Sequence, residues 1–280
     1  MCDTCGCNIT DGNRHLIEGD GKLAQTESGK EAILVLQGLL SENDRTAAHN
    51  REHFERHGVL ALNLMSSPGS GKTRLLEETI SALTGKLRVA VVEGDLETEN
   101  DAQRIRDTGA EAVQITTGSA CHLDAHMVHN ALHELDLDKV DILFIENVGN
   151  LVCPASFDLG QHRNITLLSV TEGDDKPAKY PVMFRAADLM LVSKSDLLAV
   201  LDDFSPEKAE RHLRELASTA PVHTLSARSG EGMQAWIDWL HQEHAAAVER
   251  VARGETLRPA IQPDGERLHA HRHDHHHNHD

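Results

Sequence analysis

Aromatic residues make up only 3% of this 280-residue chain, with two Trp, one Tyr and five Phe. A protein of this size that lacks them must pack its interior with Leu, Val, Ile and Ala. No apolar run approaches the roughly 20 residues a membrane-spanning helix needs. The N-terminus carries cysteines where a secretion signal would carry lysines and an apolar block. A cytoplasmic protein that does not engage membranes is therefore expected. Positive charge is also short: 27 Lys and Arg face 45 Asp and Glu, a formal net charge of -18. With no compensating basic patch, nucleic acid is not an expected partner. Cysteine is limited to five residues, an odd number that in a reducing compartment points to metal ligands or reactive thiols rather than disulfides. The length suits one large α/β domain with flanking segments.

What the chain does contain is organised around Ser66-Ser-Pro-Gly-Ser-Gly-Lys-Thr73. The apolar run 59–65 reads as a buried parallel strand, and an amphipathic helix opens at Lys72-Thr73, the build of a phosphate-binding loop. Gly69 and Gly71 let backbone N–H groups curl around phosphate oxygens, with the helix dipole aimed at them. Lys72 would reach the β- and γ-phosphates and the Thr73 hydroxyl would hold Mg²⁺, with Ser70 and Arg74 among the nucleotide contacts. Ser66 stands where the general pattern has its first glycine. A second strand, 87–92, leads to Asp95, a candidate magnesium ligand or the N-cap of a helix over 96–108. The strong strand 140–145 is followed by Glu146 and Gly149, spaced so that the carboxylate meets the magnesium shell and the glycine bonds the γ-phosphate. Lys72, Asp95 and Glu146 form the expected catalytic set. Ser193-Lys194-Ser195-Asp196, after a strand over 189–192, fits a guanine reader: the Asp196 carboxylate accepts from N1–H and the 2-amino group, both absent in adenine. The Lys194 stem would cover the base, and Ser226-Ala227 would close over the guanine oxygen. Ser193 replaces the usual asparagine, at the expense of a contact.

Metal chemistry is written in three places. Cys2, Cys5 and Cys7, with Gly6 between the last two, can converge on one ion, and the freed amine of Cys2 could be a fourth ligand; such a set suits Ni²⁺ without excluding Zn²⁺. Cys153 could complete a second metal site with Cys121 and His122, with or without His126, within one chain or across a dimer. His122, His126, His129 and His133 follow helical spacing and would share one helix face. The C-terminus ends in seven histidines from residue 269 onward, read as a disordered metal reservoir. Ahead of the sheet, Ala32, Leu36, Leu39 and Leu40 predict one or two helices packed against it. A last amphipathic helix is expected over 232–253.

Taken together, Cys2-x-x-Cys5-Gly-Cys7, the 66–73 loop, Val92-Glu-Gly-Asp95, Cys121-His122, Glu146-Asn-Val-Gly-Asn-Leu-Val-Cys-Pro154 and Thr171-Glu-Gly-Asp-Asp-Lys-Pro177 resemble the HypB family of hydrogenase nickel incorporation GTPases. The resemblance implies an α/β phosphate-loop NTPase of the SIMIBI class, a mostly parallel sheet flanked by helices, with disordered metal-binding tails. It further implies slow GTP hydrolysis, a nucleotide- or metal-promoted homodimer, the accessory protein HypA as partner and the [NiFe]-hydrogenase large subunit as receiver. A tight nickel site at the N-terminal cysteines and a weaker nickel or zinc site at Cys121, His122 and Cys153 are implied in the same way. Three regions are expected: a cysteine motif and tether over 1–26, a GTPase domain with its preceding helices over 27–256, and a His-rich tail over 257–280. Lys176 is a candidate to reach a nucleotide in the partner chain. Two rival functions are a nickel or zinc storage protein with a secondary nucleotide site and an ATP-dependent kinase. Lys72→Ala separates the first from a chaperone, and competition of GTP against ATP separates the second.

Overall fold

The computed structural model describes residues 30–95, 100–118 and 120–260, with side chains from residue 40 onward. The expectations for Cys2, Cys5 and Cys7, for the tether and for the seven-histidine end lie outside the described residues. Seven strands form one sheet: β1 (Leu60–Ser66), β2 (Val89–Asp95), β3 (Glu111–Thr116), β4 (Ile142–Glu146), β5 (Arg163–Ser169), β6 (Leu189–Ser193) and β7 (Val222–Thr224), in the order β3-β2-β4-β1-β5-β6-β7. Every neighbouring pair is parallel. The helices are α1 (Lys30–Arg56), α2 (Lys72–Leu83), α3 (Asn100–Asp107), α4 (Ala125–Leu132), α5 (Lys176–Lys179), α6 (Pro181–Arg185), α7 (Pro206–Glu215) and α8 (Met233–Ala252). No helix among the described residues is long and apolar enough to cross a membrane.

Both faces of the sheet are covered, which is why β1 reads as a continuous apolar run. Leu60, Leu62 and Leu64 join Leu76 and Ile80 of α2 and Trp236 and Leu240 of α8 in one core. Ala61 faces the opposite core with Phe54 of α1 and Val128 of α4. A third core beside β6 gathers Met65, Phe184 and Leu213. In α8 the buried Trp236 donates its indole N–H to Thr79 Oγ1 of α2 at 2.9 Å, so the one polar atom in that ring pair is satisfied.

Residues 30–56 form a single helix that packs on the sheet through Phe54; the side chains of Ala32, Leu36 and Leu39 lie outside the described residues. Leu40 is 41% exposed, whereas Ala47 and Phe54 are fully buried. Polar bonds fasten the same half of the helix to the loop before β5: Arg51 Nη2 donates to both Asp158 oxygens at 2.8 and 2.9 Å, and Asn50 Nδ2 donates to the Leu159 carbonyl at 3.1 Å. Gly160 lies so close to α1 that a Cβ would meet the Ala47 carbonyl at 2.7 Å. Asp95 closes β2; the expectation that it caps the following helix falls on 96–99, outside the described residues.

Candidate nucleotide and metal site

The phosphate loop runs from the carboxyl end of β1 to the first turn of α2, near the centre of the sheet. Gly69 (φ 72) and Gly71 (φ 96) both adopt left-handed backbone geometry, Gly71 as the N-cap of α2. That conformation opens the loop's N–H groups toward an anion. Lys72 Nζ donates to Ser66 Oγ at 3.1 Å and Ser70 Oγ donates to the same oxygen at 2.5 Å. Ser66 therefore anchors the loop's own polar groups at the position where a glycine was expected. Glu172, in the Thr171 to Pro177 segment, accepts from Ser67 Oγ. Lys176 of that segment lies over the Tyr180 ring, 5.4 Å from its centroid.

Three acidic side chains converge at the strand ends beside this loop. Glu146, the last residue of β4, accepts from Thr73 Oγ1 at 3.2 Å. Glu93 stands opposite Glu146 in the β2–β4 register, and Asp95 closes the same strand. Glu93 Oε2 and Glu146 Oε2 are buried without a hydrogen-bond partner. Burial, reinforced by Glu146, pushes Glu93 up to about 8. Burial also raises Glu146 to about 7, with Lys72 opposing the shift. Orphaned buried carboxylate oxygens next to a hydroxyl are the hard-oxygen set that Mg²⁺ accepts. Glu93 was not singled out from sequence, although its placement two residues before Asp95 on a strand puts both on one face.

The expected base-reading residues do meet. Ser70, Arg74, Lys194, Asp196, Ser226 and Ala227 line a cavity of about 210 Å³. Ser226 Oγ donates to Asp196 Oδ1 at 2.6 Å, and Arg228, missed from sequence, reaches the other carboxylate oxygen at 3.9 Å. Arg74 pairs with Glu78 at 2.6 Å on the outer side of α2. Ser193 Oγ donates to the Ser70 carbonyl at 2.8 Å and Lys194 Nζ to the Gly69 carbonyl at 2.7 Å. The serine thus retains a bond between the base loop and the phosphate loop.

Cys121, His122 and Cys153 bring their ligand atoms within 4.8 Å of one another in a single chain. The two sulfurs are 3.1 Å apart and Cys121 Sγ is 3.6 Å from His122 Nδ1. Sulfurs at that separation are not disulfide-bonded, since a disulfide requires about 2.05 Å. His122 is buried and stacked on Phe157 at 4.1 Å, and burial lowers its pKa, favouring the neutral imidazole that can ligate a metal. Two sulfurs and an imidazole suit a borderline ion such as Ni²⁺ or Zn²⁺.

Two expectations here are corrected. His126 is not part of this group: it lies on α4, exposed, in a depression with His49 and His129. His122 precedes the helix, whose N-cap is Asp124. It therefore leaves the proposed stripe, because the 121–124 segment is held by side-chain bonds instead of helical ones.

Those bonds join the thiol site to the nucleotide site. Asn147, directly after Glu146, accepts from the Leu123 N–H at 3.1 Å and donates to Asn63 Oδ1 of β1 at 3.2 Å. Asn150 Nδ2 donates to the Cys121 carbonyl at 3.3 Å. Between them, Gly149 packs against the phosphate loop: a Cβ there would lie 2.9 Å from Pro68 Cα and N. One short loop touches both sites and carries Cys153 at its far end.

Residues 60–224 match the family model described as CobW/HypB/UreG, nucleotide-binding domain. The chain is 50% identical over 246 residues to the hydrogenase maturation factor HypB of Rhizobium leguminosarum bv. viciae, covering 88% of this chain and 81% of that protein. The solved structure of Helicobacter pylori HypB in complex with nickel aligns with a TM-score of 0.69 at 42% identity, over 77% of this chain and 97% of that one. The Archaeoglobus fulgidus HypB structure aligns with a TM-score of 0.68 at 38% identity, over 73% and 100%. With a parallel phosphate-loop sheet and a thiol–imidazole cluster at the end of β4, the chain belongs to the HypB family of hydrogenase maturation factors.

Proposed function

We propose that this chain is a GTP-hydrolysing nickel metallochaperone that binds Ni²⁺ and assists its GTP-dependent insertion into the large subunit of [NiFe]-hydrogenase, working as a homodimer with HypA. The observation that carries this reading is the loop 147–153, in which Gly149 abuts Pro68 of the phosphate loop and Cys153 lies 3.1 Å from Cys121.

In this reading Gly69, Ser70 and Gly71 cradle the phosphates, Lys72 leaves Ser66 for the γ-phosphate, and Asp196 with Lys194 and Ser226 selects guanine. Thr73, Asp95 and Glu146 would hold Mg²⁺, with Glu93 behind them. When bound, the ion supplies neutralisation of phosphate charge. Gly149 is close enough to the loop to follow the γ-phosphate, so its departure shifts 147–153 and with it the Cys153 sulfur. Ni²⁺ is the cargo, and Zn²⁺ competes for the same ligands. Linkage makes the effect reciprocal: if GTP changes nickel affinity, nickel changes GTP affinity by the same factor.

The test is a chelator-competition titration of Ni²⁺ into the full chain loaded with GTP or with GDP. Affinity at the Cys153 site should differ by roughly 5- to 150-fold between the two nucleotides, the range of ordinary coupling energies. Cys153→Ser should abolish the difference and leave GTP binding intact. Hydrogenase maturation in cells carrying Lys72→Ala should be lost; normal maturation would instead favour a storage protein.

A further inference from the structure

Among the described residues outside the nucleotide and thiol sites, four histidines gather at the seam of α1 and α4. His49 and His53 are spaced i, i+4 on α1, and His129 and His133 are spaced i, i+4 at the end of α4. Such spacing stacks each pair on one face of its helix. The pairs face each other: ring centroids lie 4.5 Å apart for His49–His53, 5.2 Å for His49–His129, 6.0 Å for His53–His129 and 4.9 Å for His129–His133. We propose that His49, His53, His129 and His133 form a separate all-imidazole site for a divalent borderline ion, Zn²⁺ or Ni²⁺.

Two details distinguish this cluster from histidines that merely share a solvated surface. His49 Nε2 and His53 Nε2 are 3.1 Å apart. Two nitrogens bound to one tetrahedral ion at 2.0–2.1 Å lie about 3.3 Å apart, so the α1 pair already has the spacing of a shared ligand edge. The second detail is the tautomer of His129. Buried Asn50 donates its Nδ2 to the carbonyls of Ala125 and Leu159, at 2.8 and 3.1 Å. Those bonds set the amide's orientation and leave Oδ1 facing His129 Nδ1 at 3.0 Å. A carbonyl oxygen only accepts, so Nδ1 carries the proton and the outward Nε2 keeps its lone pair. A ring oriented by a hydrogen bond from its other nitrogen is the usual arrangement behind a metal-ligating histidine.

The surroundings disfavour protonation of two of these rings, His53 and His129. Partial burial and the charges of His49, Arg56, His57 and His133 lower the pKa of His53. Burial and the four histidines around it lower that of His129. Neutral imidazole is the form that ligates, and imidazole sets suit Zn²⁺ and Ni²⁺. Glu42 and Arg45 flank the adjoining depression. The site does not depend on the reading of Cys153, and either can fail alone.

The test compares the full chain with the His49→Ala/His133→Ala form, in which both replaced side chains are exposed and all other metal ligands remain. Zn²⁺ alone is titrated in competition with a chromophoric chelator. The variant should bind one equivalent fewer, with unchanged thermal unfolding in the absence of metal. Crystals of the unaltered chain soaked in Zn²⁺ should show an anomalous peak about 2.1 Å from His49 and His53 Nε2. Equal stoichiometry in the two forms, or no peak at the α1–α4 seam, overturns the proposal. If the variant does not fold, the peak decides.

Discussion

At the scale of single residues, Gly149 and His162 make the sharpest tests. Alanine at 149 would place a methyl group 2.9 Å from the Pro68 backbone, which cannot swing away as a side-chain end could. Overpacking of this kind costs about 1–3 kcal/mol. Directed at the phosphate loop, it should weaken GTP binding by roughly 5- to 150-fold, measured by nucleotide titration against the unaltered chain. His162 is buried and its Nδ1 accepts the Ala61 N–H at 2.9 Å. Burial, followed by Arg51 and Arg163, drives its pKa down from 6.5 to about 3. As pH falls between those values the unfolded chain gains a proton that the native chain refuses. Its contribution to stability is therefore lost on acidification, by at most about 1.4 kcal/mol per pH unit. Urea unfolding at pH 6.5 and 4.5 should show a steeper loss for the native sequence than for His162→Asn. The ionisation of Glu93 and Glu146, which acts in the opposite direction, is common to both proteins. The placement of Lys72, Thr73, Glu146 and Asp196 at the strand ends and in the pocket was legible from sequence because it is tied to local spacing. Glu93 and Arg228 were not, since their places depend on partners brought in by sheet pairing and by the loop after β7.

At the scale of elements, strands and helices were well marked wherever period and turn residues agreed, as for β1, α2, β4 and α8. Helix α1 shows where that evidence stops. Of the expected residues Ala32, Leu36, Leu39 and Leu40 only the Leu40 side chain is described, and it is 41% exposed; the described contact is made by Ala47, Asn50, Arg51 and Phe54. Asn50 and Arg51 carried no packing signal in the sequence because their partners, the Leu159 carbonyl and Asp158, lie more than a hundred residues away. The histidine stripe lost its first member, His122, for a related reason: period alone could not reveal that α4 starts after it. The α2–α8 junction supplies a test at this scale. Thr79→Val keeps the shape but removes the acceptor of the Trp236 indole N–H, leaving a buried donor unsatisfied. That should cost about 1–3 kcal/mol in chemical denaturation. A loss below a few tenths would mean that the two helices are held by apolar contact alone.

At the scale of the whole molecule, the nucleotide pocket and the thiol site share β4 and the loop behind it, and reciprocity between them is open to measurement from either side. The factor by which GTP alters Ni²⁺ affinity should equal the factor by which Ni²⁺ alters GTP affinity, determined by separate titrations on the same preparation. Unequal factors would indicate that nickel at some other position contributes to one of the two titrations. The Asn147 side-chain amide binds β1, the loop after β4 and the segment bearing Cys121. Because it stands between a phosphate cradle and a pair of sulfurs, a sulfur-bound nickel ion would sense, in its ultraviolet absorption, which nucleotide lies across the sheet. Turnover could then be followed through the light the cargo itself absorbs, without a dye or a labelled substrate.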